Sequence, residues 1–488
     1  MSDPENPDPG GITHGANVVR SARAALAGQL VLRVGSFALG VFLARVLGPE
    51  PFGVYVVSLS IIMFTLAIND LGTVPALIAS RRPLAETAPT ALAMVLIVSG
   101  VLTGLLLLVS GPLTSAVGLD GQAAPLRALT AVLVLDALAT PANAKLRREL
   151  RHSELARAEV AGIVCQIAAA LALVALDAGV WILVISHLVG NVVASLAMLR
   201  ASRFLPRPHF DPTVLPELWA FGSRQASSQA VQEGIINLDY VVIGSRLGPG
   251  PTGLYQRGFN TASWGVSVAG EVVGRVGVAA FAPVVDEPRR LDEALRRTLV
   301  VLTIALAPAA ALLAGLAEPL VLLLYGEEWL GAVVIVRILC VLGAMRVLLT
   351  VGSDVLTAAH RTGSVLRLNA VWLAVLLPAI LVAVEIDGLR GAAVAQVFTA
   401  LVVAAPVMVM LLRRLGLSGR RAGTELLPIV VVAVSVSPLA WAVSTQFSTV
   451  TGLLAGGAVG GAYYILSLGL IARPQLREVI STALGRGR

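Results

Sequence analysis

About fourteen apolar runs, each long enough to cross a bilayer, follow one another along this chain with little between them. A spanning helix needs roughly 20 apolar residues. The runs fall at approximately 24–46, 54–79, 88–110, 125–144, 156–176, 179–199, 217–244, 252–283, 298–317, 329–357, 364–384, 388–412, 425–445 and 450–472. A mean hydropathy of +0.85 agrees with this reading, as does a charged fraction of only 13%. The predicted fold class is therefore an all-α integral membrane protein with about fourteen transmembrane helices.

Basic residues set the sidedness. Of the 36, 26 fall in alternate gaps: Arg20 and Arg23, Arg81 and Arg82, the set from Lys145 to Arg157, Arg200 to Arg207, Arg289 to Arg297, Arg361 and Arg367, Arg413 to Arg421, and Arg473 to Arg488. The opposite gaps hold only Arg45, Arg246 and Arg390. Short loops rich in Lys and Arg stay cytoplasmic, so both termini should face the cytoplasm. The net charge of +7 is spread over these loops, so it matches anionic lipid headgroups and forms no compact surface for nucleic acid. Cys165 and Cys340 both lie inside spans and imply no disulfide framework. Residues 1–20 read as a disordered tail, with no signal-peptide pattern.

Little chain remains for soluble chemistry. The longest outer gap, about Gly111 to Ala124, carries no His, Cys or Ser–His–Asp set, and the five His are scattered without metal-ligand spacing. Transport is thus the leading class, with no catalytic residues, no metal and no resident cofactor expected. A membrane-embedded polymerase or ligase is the reading that these short loops disfavour.

An internal repeat organises the runs. LGPEPFGVY (Leu47 to Tyr55) and LGPGPTGLY (Leu247 to Tyr255) stand 200 positions apart, each joining a first span to a second. Gly-Pro ends one helix, and Gly with Tyr starts the next at headgroup level. Six spans per copy make the repeats parallel, related by an axis along the membrane normal. The expected division is an N-terminal six-helix lobe at 21–210, a C-terminal six-helix lobe at 211–415, two additional helices at 416–473 and a tail at 474–488. Facing lobes would enclose a central cavity.

Polar residues inside spans mark its expected lining. Gln225, Ser228, Gln229, Gln232 and Asp239 form a stripe along span 7, within roughly 80° of one helix face. Gln29, Arg33, Ser36 and Gly40 form a comparable stripe in span 1, and the offset of 200 maps Gln29 onto Gln229 and Arg33 onto Glu233. Asn69 and Asp70 come from span 2, while Glu271 and Arg275 in span 8 stand at i, i+4, where they can pair. Charge in a bilayer costs at least about 2.5–3.5 kcal/mol per residue and is a functional pointer by default. The alternative is a set of internal ion pairs, since seven span-associated Arg face six acids: Asp70, Asp136, Glu233, Asp239, Glu271 and Asp354. Arg127 and Arg257 lie near span ends, where a long side chain can snorkel to the interface, and are the first to be discounted as ligands. Arg337, Arg346, Asp136 and Asp354 fit structural and functional roles equally.

Several segments then resemble one family in order: LARVLGPEPFGVY with NDLG, LRRELRHSELARAEVAG, GVWILVISHLVGN, LDYVVIGSRLGPGPTGLYQRGFN, AFAPVVDEPRRL and LLYGEEW. Over roughly residues 20–415 the chain resembles the oligosaccharide-lipid flippases of the multidrug/oligosaccharidyl-lipid/polysaccharide exporter superfamily, in the branch of the teichuronic and colanic acid exporters. The resemblance implies movement of a polyprenyl-pyrophosphate-linked oligosaccharide across the membrane by alternating access. It implies a cavity lined by spans 1, 2, 7 and 8, with Arg33, Asp70, Arg224, Glu233, Glu271 and Arg275 as the matching charged positions. Arg33 and Arg224 would then contact the pyrophosphate, and Glu271–Arg275 would be a structural pair. Arg33 opposite the acidic Glu233 departs from a purely cationic cavity. The implied partners are the lipid-linked oligosaccharide, membrane lipids, and the polymerase and glycosyltransferases of the same pathway. An acid such as Asp70 or Glu271 could carry a coupling proton or sodium ion. The rival from the same superfamily is a cation-coupled multidrug or small-molecule exporter.

Overall fold

The computed structural model describes residues 34–274, 281–417 and 420–471. The first part runs through α1 (Val34–Leu47), α2 (Pro49–Asn69), α3 (Thr73–Ala79), α4 (Leu84–Ala116), α5 (Ala123–Leu129), α6 (Ala131–Arg148), α7 (His152–Val174) and α8 (Val180–Ser202). It continues with α9 (Leu215–Leu247), α10 (Pro249–Gly274), α11 (Pro288–Gly315), α12 (Ala317–Leu324) and α13 (Ala332–Ala358). It ends with α14 (Thr362–Thr399), α15 (Ala405–Arg413), α16 (Arg420–Ser444) and α17 (Thr449–Ile471). There is no strand among the described residues.

Among the described residues, ten helical stretches are long and apolar enough to cross a membrane. The described part of α1 is too short for that test, and α9 and α10 are too polar, which is where the sequence places the stripe. The stretch 362–413 holds two spans that reverse at Asp387 and Gly388, where the backbone leaves helical geometry. A Cβ on Gly391 would overlap the carbonyl oxygen of Ala383, so the two arms meet backbone to backbone. Together these elements account for the fourteen expected spans.

The helices are sorted for lipid. On α4, Ile97, Val101, Leu105 and Leu108 are exposed, Leu108 to 81%, while Ser99, Ser110 and Thr114 are buried. In water this arrangement would be inverted; in hydrocarbon, aliphatic side chains face the solvent and small polar ones face neighbours. Small residues also let backbones approach. A Cβ on Gly162 of α7 would stand 2.7 Å from the carbonyl oxygen of Gly190 on α8.

The described residues fall into two compact units. One comprises the described parts of Met1–Leu47, Ser58–Ala116 and Asp120–Ala230; the other comprises Gly48–Val57, Val117–Leu119 and the described parts of Val231–Arg488. In the first unit, α2 is interrupted at the NDLG sequence. Leu71 and Gly72 both take positive φ, and the chain resumes as α3. The reason is a close approach: a Cβ on Gly72 would lie 2.7 Å from the Cβ of Gln225, and a Cβ on Gly222 would overlap the carbonyl oxygen of Leu71. The continuous second span expected at 54–79 is thus two helices around a left-handed turn.

The second unit contains both LGP turns, and their glycines lock reciprocally. A Cβ on Gly53 would overlap the carbonyl oxygen of Pro249, and one on Gly253 would overlap that of Pro49. Residue i meets j′ and j meets i′, which is how surfaces related by a two-fold axis meet. Gly48 and Gly248 both take positive φ ahead of these helices. Phe52 is packed edge-on against Trp329 at 5.7 Å between ring centres. Gly53→Ala and Gly253→Ala should each cost about 1–3 kcal/mol, the usual range for overpacking. Gly100→Ala should be near neutral, because nothing lies within 4 Å of its added methyl. Thermal unfolding in detergent, followed by size-exclusion chromatography, checks this.

Candidate functional site

The polar stripe of α9 is divided between different surroundings. In the first unit, Gln225, Ser228 and Gln229 are half-buried, and none of them makes a side-chain hydrogen bond among the described residues. In the same unit, Asn69 is fully buried at the end of α2; its Nδ2 donates to the carbonyl oxygen of Leu133 at 3.3 Å. Its Oδ1 has no hydrogen-bond partner among the described residues. The hydroxyl of Thr73 donates to the main-chain oxygen of Asp70 and approaches its carboxylate at 3.5 Å. Asp136 of α6 stands within electrostatic reach of Asp70. Two acids and an orphaned amide oxygen therefore surround the NDLG break.

In the second unit, Glu233 accepts from Asn237 Nδ2 at 2.6 Å, one turn along its own helix. Asp239 is completely buried. The Gln396 side chain from the second arm of α14 donates to its Oδ2 at 3.1 Å, and the Tyr240 N–H donates to its Oδ1 at 2.9 Å. The other end of the same amide, Gln396 Oε1, accepts from Arg346 Nη2 on α13 at 3.4 Å. Arg346 Nη2 also donates to the carbonyl oxygen of Ile235 at 3.5 Å, and its guanidinium stands 5.2 Å from the ring centre of Phe259. Gln396 thus links a buried anion to a buried cation. Its amide suits the position, because one end donates and the other accepts.

Arg346 borders a cavity of about 430 Å³ between α9, α13 and the first arm of α14. Its polar wall is Gln232, Arg346, Thr350, Ser353, Asp354, Thr357 and Asn369, and its apolar wall includes Leu349, Leu368 and Trp372. The α13 residues share one face because Arg346, Thr350, Ser353 and Thr357 recur at three- and four-residue spacing. A second cavity of about 490 Å³ in this unit is lined mainly by aliphatic residues, among them Leu306, Ala310, Met345, Leu401 and Val434.

Of the twelve expected lining residues, the structure brings Gln232 to the polar cavity. It places Asn69, Asp70 and Gln225 around the NDLG break, with Ser228 and Gln229 further along α9 and Glu233 held by Asn237 on the same helix. Gln29, Arg33 and Arg275 lie outside the described residues, as do the side chains of Arg224 and Glu271, so the Glu271–Arg275 pair does too. Arg257 departs from expectation: it does not snorkel but is buried, its guanidinium 4.4 Å from the ring centre of Phe52 and its Nε donating to Gln256 at 2.8 Å. The aromatic side chains around it give the cation a quadrupole partner that sequence distance from a span end does not reveal. Gln396, Asn369 and the hydroxyls of α13 are the polar groups that sequence reasoning missed. Arg127, by contrast, is exposed, with its Nε donating to Ser110 at 2.6 Å.

The profile of the polysaccharide biosynthesis protein family matches residues 42–334. The lipopolysaccharide biosynthesis protein WzxC of Escherichia coli is 25% identical over 379 residues, covering 75% of each chain. The teichuronic acid biosynthesis protein TuaB of Bacillus subtilis is 26% identical over 310 residues, covering 61% of this chain and 62% of its own. Among solved structures, the lipid II flippase MurJ in an inward closed conformation superposes with a TM-score of 0.77 at 11% identity, covering 93% of this chain and 99% of its own. At that identity the likeness concerns the fold.

The linked charges give a double-mutant test. Asp239→Asn or Arg346→Gln alone leaves one buried charge without its counterpart, a loss of about 3–5 kcal/mol. The double variant should lose less than the sum, with a coupling of about 0.5–3 kcal/mol. Thermal unfolding of the four proteins in one detergent reads the cycle.

Proposed function

Because the chain belongs to the polysaccharide biosynthesis protein family, we propose that it translocates a polyprenyl-pyrophosphate-linked oligosaccharide across the cytoplasmic membrane by alternating access. The observation that carries this reading is the cavity of about 430 Å³ inside a membrane-spanning unit, lined by amides, hydroxyls, a carboxylate and a guanidinium. Such groups at membrane depth need a polar occupant or water, because lipid offers them no partner. The names of the relatives, lipopolysaccharide and teichuronic acid biosynthesis proteins, support a saccharide as that occupant. In this reading the protein makes and breaks no covalent bond. Glycosyltransferases of the pathway supply the substrate, and a polymerase receives it. The division into two six-helix lobes with two added helices belongs to the same proposal. So do pyrophosphate contacts from Arg33 and Arg224.

Reconstitution tests the transport step. Liposomes containing the purified chain and a fluorescent polyprenyl-pyrophosphate oligosaccharide should lose leaflet protection of the label against an impermeant quencher. Protection equal to that of protein-free liposomes overturns the proposal.

The proposed topology, with both termini cytoplasmic, is tested by single cysteines after replacing Cys165 and Cys340. An impermeant maleimide should label Asp177→Cys and Gln446→Cys in intact cells and His209→Cys only after permeabilisation; all three positions are exposed. The reverse pattern refutes the orientation.

A further inference from the structure

The polar cavity differs from a simple anion trap in what its walls can still offer. Three hydroxyls of α13 have already committed their protons along the helix. Thr350 donates to the Arg346 carbonyl oxygen at 2.9 Å, Ser353 to that of Leu349 at 3.1 Å, and Thr357 to that of Ser353 at 2.8 Å. Into the cavity they present lone pairs only. Asp354, one residue beyond Ser353, has no hydrogen bond or ion pair among the described residues, and neither do Gln232 and Asn369. The two amides can give or accept, the Arg346 guanidinium gives, and the three hydroxyls and the carboxyl, four of the seven polar groups of this wall, accept.

The charge balance points the same way. The positive charge of Arg346 is tied through Gln396 to buried Asp239, so the carboxyl of Asp354 is the charge-bearing group left over. Ionised, Asp354 repels an entering anion; protonated, it offers the anion no countercharge. In a medium that screens poorly, like-charge juxtaposition opposes binding. The size is that of a small-ligand site, roughly 300–1,000 Å³. The indole of Trp372 supplies a flat apolar wall, held in orientation because its Nε1 donates to Thr399 at 3.3 Å.

We propose that this cavity recognises a neutral or amino-bearing sugar residue of the substrate, presenting hydroxyl or N–H donors, and that it excludes uronate residues and the pyrophosphate. The proposal rests on the flippase reading but assigns a subsite of its own. An acceptor-rich wall pairs with the donors of sugar hydroxyls or an amino or acetamido group. The anionic linkage is bound elsewhere in the protein.

Isothermal titration of the purified full-length chain with octyl N-acetylglucosaminide and octyl glucuronide tests it. The wild type should favour the glucosaminide by at least about tenfold, the effect of one unfavourable charge contact. Asp354→Arg should reverse the order. Asn369→Leu, which removes an amide without changing charge, should weaken both glycosides and leave their ratio nearly intact, so it serves where Asp354→Arg does not fold. Equal or tighter binding of the glucuronide by the wild type overturns the inference, as does binding of neither glycoside at millimolar concentration. A ratio that Asp354→Arg leaves unchanged, or Asn369→Leu without effect, also overturns it. Because the readout is equilibrium binding, it separates from the liposome assay. Transport without this selectivity sinks the subsite alone, and selectivity without transport sinks the flippase reading alone.

Discussion

Hydrocarbon supplies no hydrogen bonds, so a polar atom in a spanning helix must find its partner inside the protein or in water that the protein admits. In the second unit one chain of contacts, from Asp239 through Gln396 to Arg346, meets this requirement for three polar side chains. The chain ties α9, α13 and the returning arm of α14 together at their polar points. Arg346 also borders a cavity. A buried ion pair is weak evidence for stability, since desolvation offsets much of the attraction. Its value here is positional: with the cation and the anion satisfied through one amide, the three helices are held in a single register, and the cavity wall of α13 is fixed with them.

Much of the architecture was legible because it depends on single segments. Fourteen apolar lengths and the tight reversal near Asp387 can be read from local composition, which determines whether a helix spans and where it stops. The LGP repeat was legible for the same reason, as a turn signal occurring twice. Partners were not legible. Periodicity places Gln225 to Asp239 on one face of α9, but it does not say that Gln232 meets a cavity while Asp239 meets a side chain 157 positions away. Gln396 is a lone amide in an apolar run, and only the fold gives it two charged neighbours.

Two readings went differently for reasons of chemistry. Arg257 sits near a span end, and a long aliphatic stem could carry its charge to the interface. The aromatic surroundings offer another solution, and burial over Phe52 prevails. The second span reads as continuous because Asn69, Asp70 and Leu71 are each tolerated in a helix. The interruption follows from Gly72 and Gly222, whose missing side chains allow two backbones to approach.

The repeat shows which parts of a duplicated design have to stay alike. At the turns, Gly53 and Gly253 each sit against the other copy's proline carbonyl, so a methyl on either breaks the same kind of contact. That geometry leaves no room for a side chain at either glycine, while the positions between them differ, Phe52 standing where the second turn has Thr252. Inside the spans no such constraint operates, and residues related by the offset of 200 differ in charge, with Arg33 against Glu233. Under the proposed function, a repeat with unlike interiors suits an asymmetric substrate. Sugars present hydrogen-bond donors, a pyrophosphate presents charge, and a prenyl chain presents neither. A substrate of that kind needs polar, cationic and apolar surfaces at different places. In that reading, the polar and aliphatic cavities of the second unit are candidates for two of the three.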